Sequence, residues 1–170
     1  MKNTVIIICS LMLFSGYCYS QTIKQDSTIC LEIKGKVTNI KSKSDDSYKI
    51  ELIYYNTVVN NDTLSATKSF MYSLKKNAIY SIRISKKGYL TKLISIYTKI
   101  PKENQELYRL DFDTELIEEH KSKKLNSDAI DFPITIIYFD EEENLFYFNE
   151  EYTNNIKKCL YNVKVVRNKI

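Results

Sequence analysis

The sequence predicts a mainly β protein, an Ig-like antiparallel β-sandwich followed by a small C-terminal β-hairpin and helix. Three observations carry this reading. Apolar and polar residues alternate with period two in a series of short segments. Polar turns separate those segments at roughly ten-residue spacing, as in sandwiches. The composition, with 14 Tyr, 7 Phe, 3 Gly and 2 Pro, favours strands over helices.

The chain opens on Lys2 and the uninterrupted apolar run Val5 to Phe14, VIIICSLMLF. A run of about ten residues behind a positive charge suits the h-region of a secretory leader and is too short to span a bilayer. Cys18 and Ser20 supply small residues for a cut before Gln21, so residues 1–20 are read as a signal peptide. The mature chain is then periplasmic or extracellular, without a transmembrane span. A rival reading makes Cys18 the lipidated first residue of a lipoprotein, but Tyr17 stands where a small residue is needed.

A sandwich is expected over 27–117. Ile29, Leu31, Ile33, Gly35 and Val37 share one face of the first strand, which leaves Cys30 on the polar face. Lys41 to Ser47 (KSKSDDS) reads as a turn, and Tyr48, Ile50, Leu52 and Tyr54 as the next buried stripe. Asn60, Asn61 and Asp62 are turn residues, which predicts a connection there and a short edge strand over Leu64 to Ser69. Phe70, Tyr72 and Leu74, then Tyr80, Ile82 and Ile84, mark two more stripes, separated by a turn at Lys75 to Asn77. Gly88 can take positive φ after Lys86 and Lys87. Leu90 to Tyr97 and Tyr108 to Phe112 complete the series.

Glu118 to Asp131 is almost wholly polar, so 118–131 reads as a linker. Beyond it a ββα appendage is expected over 132–162, with 163–170 as a tail. Pro133 to Phe139 and Leu145 to Phe148 flank the acidic run Asp140 to Glu143, and Asn149 can cap a helix carrying Tyr152, Ile156 and Leu160. A lone hairpin is marginal, so this unit must dock on the sandwich or on a partner.

The motifs LEIKGKV (Leu31 to Val37), FMYSL (Phe70 to Leu74) and YSIRISKKGY (Tyr80 to Tyr89) resemble the carboxypeptidase regulatory-like, or prealbumin-like, domain of exported bacterial proteins. They match its strand ending in Gly-x-Val, its Phe-rich strand and its hairpin closing on Gly-Tyr, over roughly 31–98. One departure is that Ala66 to Ser69 stand where the family carries Asp-Gly. The resemblance implies a sandwich without activity of its own, used as a folding partner, spacer or binding module.

Catalytic, cofactor and metal sites are all read as none. The single histidine, His120, falls in the polar linker, a poor place for a general base or a triad. Zinc needs several Cys or His at short spacing. Asp140 to Glu143 lacks the alternating ligands and turn glycine of an EF-hand, so a charged hairpin tip is the simpler reading. Asp111 and Asp113, at i and i+2, are taken as outward-facing acids, not as a glycosidase pair. Loss of the leader leaves Cys30 and Cys159; spacing leaves both a bridge and independent thiols open, and Cys159 is placed on the apolar side of its helix.

The formal charge of +4 is close to balanced and gives nothing for nucleic acid to recognise. The function expected is therefore a non-enzymatic exported envelope or secreted protein, a structural or protein-interaction module whose partner is another envelope or extracellular protein. The alternative is a carbohydrate-binding module using exposed tyrosines. Of these, Tyr55 and Tyr97 lie off their strands' apolar stripes and are the candidate platform.

Overall fold

The computed structural model describes residues 28–38, 47–122 and 131–160. The leader with Cys18, most of the KSKSDDS turn, most of the 118–131 linker and the 163–170 tail lie outside the described residues. Two sheets pack face to face. The smaller has the order β4-β1-β7, from β1 (Ile29–Val37), β4 (Ser69–Lys75) and β7 (Tyr108–Thr114). The larger has the order β3-β2-β5-β6-β8-β9, from β2 (Ser47–Tyr54), β3 (Thr57–Ser65), β5 (Ile79–Ser85), β6 (Lys92–Tyr97), β8 (Thr135–Asp140) and β9 (Leu145–Phe148). A single helical turn, α1 (Glu119–Ser122), follows β7, and the chain's longer helix, α2 (Glu150–Leu160), follows β9. The β-sandwich expected from the alternation is thus the observed fold. Its pairing is mostly antiparallel, with parallel ladders between β1 and β7 and between β6 and β8.

The core forms where the alternation predicts. Leu31, Ile33 and Val37 of β1, Phe70 and Leu74 of β4, and Ile50, Ile82, Ile84, Ile94 and Ile96 of the larger sheet are all buried. Gly35 faces Phe70 across the β1–β4 ladder, and a Cβ at Gly35 would collide with the Phe70 ring. Absence of a side chain at Gly35 is therefore what lets Phe70 lie flat over β1.

Several local expectations are corrected. Cys30 is fully buried, not on the polar face, because the β1–β4 register slips between Ile29 and Leu31. Such a bulge breaks the period of two and turns consecutive residues inward. Burial pushes the Cys30 thiol up to about 11, although Lys76 pulls the other way. Cys159 is exposed: α2 turns Leu160 inward, with Tyr152, Thr153 and Ile156 half-buried, and Cys159 falls outside that stripe. Both cysteines are free thiols.

The third strand also differs. Asn60 to Asp62 lie in the middle of β3, which ends at Ser65, so the edge strand expected over Leu64 to Ser69 is instead the end of β3, a turn and the start of β4. The reversal comes earlier, at Tyr55 and Asn56 with φ of 41° and 66°. Positive φ at both central residues is the type I′ hairpin, whose backbone twist matches that of the strands. Polar residues are tolerated inside β3 because almost every side chain on it is solvent-exposed.

The hairpin after the linker docks on the sandwich and extends it. β8 pairs with β6 at Ile94–Thr135 through Ile96–Ile137. Tyr108 of the smaller sheet meets Phe139 and Phe146 with ring centroids 5.2 and 5.5 Å away, and those two rings are 5.3 Å apart. Asn149 caps α2, its Oδ1 accepting the Tyr152 N–H at 2.9 Å. The linker's first residues are ordered against the body, since Glu118 bridges Tyr89 and the Glu119 N–H donates to the Gly88 carbonyl at 2.9 Å. Gly88 holds the expected positive φ, 80°.

On the outer face of the larger sheet, Glu51 is buried and holds Lys49 at 2.7 Å and Arg83 at 2.6 Å. The hydrogen-bonded Lys49 ammonium, and after it Arg83, keep its carboxyl below the usual range against the opposing effect of burial.

Two predictions follow from this packing. Gly35→Ala should destabilise by about 1–3 kcal/mol through overpacking, and adding Phe70→Leu should recover part of it in denaturant melts; an unchanged midpoint in the single variant would refute the Phe70 contact. A lowered folded pKa at Glu51 means its contribution is complete above the ordinary carboxylate pKa and is lost as pH falls through the folded value. Wild type should therefore lose stability more steeply in acid than Glu51→Gln, and parallel pH profiles would show that the pair contributes nothing.

Candidate interaction surfaces

Unequal sheets leave part of the larger one uncovered, and β3 is where this shows. β3 spans nine residues, TVVNNDTLS, and only Leu64 is better than exposed. It terminates its sheet, so one side of its backbone has no strand partner. The other three sheet edges are shorter. β9 has four residues, and β4 and β7 have seven each. β7 also turns Arg109, Asp111 and Asp113 outward. On β3, Asp62 is the sole charged side chain. Long strand edges with few charges are templates for pairing with another chain.

Beside the β2–β3 turn lies an aromatic corner. Tyr54 and Tyr55 meet edge to face at 4.7 Å, and Tyr54 lies 5.2 Å from Tyr80. Tyr54, expected in the core stripe, is 39% exposed, because it ends its strand at the hairpin turn. The two sequence candidates sit on either side of Ile79: the Tyr55 N–H donates to the Ile79 carbonyl at 3.4 Å, and Tyr97 is the register partner of Ile79. All three side chains are exposed. Ile53, Tyr55, Asn56, Ile79 and Ser81 line a shallow hollow of about 300 Å3 here. Tyr72, Tyr80 and Tyr108 are core residues, and Tyr89 packs partly buried against the core.

The remaining residues singled out in the sequence are placed apart from one another. His120 is exposed in α1, its Nδ1 3.1 Å from Glu118. Asp111 and Asp113 both project into solvent. Asp140 has a structural task, its Oδ1 accepting the backbone N–H groups of Glu142 (2.9 Å) and Glu143 (3.2 Å) to fold the tip. Asn144, at φ 54°, ties that tip to the body by accepting the Tyr108 hydroxyl at 3.0 Å. Among the described residues no three His, Cys, Asp or Glu side chains gather as a metal site, and no helix is long and apolar enough to cross a membrane. The β3 edge escaped the sequence reading because its turn lacks the Asn-Gly signature; the only local signal was Asn56, a residue tolerant of positive φ.

No family model matches the chain, and no curated protein matches it. Among solved structures the chain is similar to one titled "Crystal Structure of S.CueP", with a TM-score of 0.36 and 8% identity. The match covers 52% of this chain and 62% of that one, so less than two thirds of its length is spanned.

Proposed function

We propose that the protein is a non-enzymatic exported module that binds another envelope or extracellular protein by adding one of its extended segments to β3. The observation that carries this is the β3 edge, the longest among the described residues and nearly free of charge. Strand addition draws affinity from main-chain hydrogen bonds and needs no catalytic group. The leader pattern in residues 1–20 supports an exported setting, and the motifs over 31–98 support a regulatory-like domain serving as a rigid body. A partner strand would meet Val58 and Val59 at one end and the Asn60 to Asp62 run beyond them, an amide-rich surface suited to an uncharged extended segment.

A photo-crosslinker placed at Asn61 in the producing cell should capture one discrete protein species. The same probe at Lys34, exposed on β1 of the other sheet, should not. Val59→Lys with Thr63→Lys, exposed positions on either side of the probe where charges blunt an edge, should abolish the crosslink without moving the melting temperature. Equal capture from both probe positions, or capture that survives the lysines, would rule out strand addition.

A second reading is favoured by one observation, the flanking of Ile79 by Tyr55 and Tyr97. Exposed aromatic rings offer faces on which sugars stack. On a glycan array the wild type should bind a defined polysaccharide class, and Tyr55→Ala with Tyr97→Ala should lose it; a blank wild-type array removes this reading.

A further inference from the structure

The smaller sheet stops at β7, whereas the larger runs on through β8 and β9. In the space this leaves, α2 walls off a cleft of about 770 Å3 whose other sides are β6, β7, β8 and β9. That volume lies in the range of small-molecule sites. Its apolar walls include Ile94, Phe112, Phe148 and Leu160. One cation is set among them. Lys92 is the register partner of the fully buried Ile84, which turns its side chain to the inner face of the sheet.

Lys92 Nζ donates to Thr114 Oγ1 at 2.7 Å and to the Glu115 carbonyl at 2.6 Å. Both acceptors are neutral. No carboxylate forms an ion pair with it among the described residues, and the third ammonium proton has no protein acceptor there. Burial pushes the Lys92 ammonium down to about 8; the Glu115 carboxylate opposes this and Lys157 adds to it, so the group is still a cation at neutral pH. Asp113, Glu115 and Glu150 also border the cleft, but all three are exposed, as is Lys157. The mouth charges, three carboxylates and one ammonium, are therefore solvated, while the half-buried charge further in is positive. A half-buried cation whose direct acceptors are both neutral is costly, and an anion arriving on it relieves that cost.

We propose that this cleft binds a monomeric single-chain amphiphile with an anionic head, of the fatty-carboxylate class, its head on Lys92 and its chain against Phe112, Phe148 and Leu160. The site is separate from the β3 edge, so either reading can fail without the other.

Calorimetric titration of the chain with decanoate below its micellar range tests this, with 1-decanol and acetate as probes lacking the charge or the chain. Decanoate should bind, and decanol and acetate should each bind about tenfold more weakly or worse. Lys92→Met should weaken decanoate about tenfold or more and erase its advantage over decanol. Asn154→Trp, at an exposed α2 position bordering the cleft, should block decanoate while leaving the melting temperature in place, and it carries the test should Lys92→Met fail to fold. Equal affinity for decanoate and decanol, decanoate binding that survives the folded variants, or association only with vesicles of anionic phospholipid would each overturn the proposal.

Discussion

Tyr108 packed against Phe139 and Phe146 is the contact on which the shape of the molecule depends. β8 and β6 share only the register from Ile94–Thr135 to Ile96–Ile137, a short parallel ladder for holding a hairpin and helix. Main-chain bonding alone leaves such a hairpin marginal. Edge-to-face ring pairs contribute roughly 0.5–1.5 kcal/mol each beyond the area they bury. The triangle formed by Tyr108, Phe139 and Phe146 is joined by a second line of rings, Phe70 to Phe112 at 5.7 Å and Phe112 to Phe148 at 5.9 Å. Those contacts make the C-terminal hairpin part of one core, and they carry the larger sheet beyond the reach of the smaller one.

How legible this was depends on how many faces each strand buries. β1, β4 and β5 bury one face each, so hydrophobic alternation marks them in the sequence, and their inward residues are the ones found in the core. β3 buries neither, and a strand without a buried face has no period to read; its Asn and Asp residues then imitate a turn. Cys30 was misplaced for a related reason, since a bulge is a property of the pairing register and leaves no mark in one strand's own sequence. Two glycines have physical tasks in the structure, Gly35 beneath Phe70 and Gly88 in a turn at φ 80°.

Candidate sites were less legible than the fold. Tyr55 and Tyr97 could be singled out because they break their strands' stripes, and they do lie near each other, but only the pairing shows Ile79 between them. Lys92 gave no such signal. At the start of a strand, a lysine reads as a solvated end; its inward direction comes from pairing with Ile84, and its acceptors come from β7 and the residue after it, over twenty positions away.

Both uncovered regions have the same physical origin. Three strands cannot roof six, so the larger sheet overhangs at each end. At one end β3 is left with both faces wet, where its side chains contribute little burial and substitutions cost little stability. At the other, the aromatic rings hold β8 and β9 out beyond β7, and α2 encloses what would otherwise be bare apolar sheet. A further strand on the smaller sheet beyond β7 would fill the cleft, whereas only a further strand in the larger sheet itself would pair the β3 edge. The stripe of buried residues is therefore decoupled from β3, whose side chains lie outside it, but not from the Lys92 cleft, which takes Ile94 of the core as one of its walls.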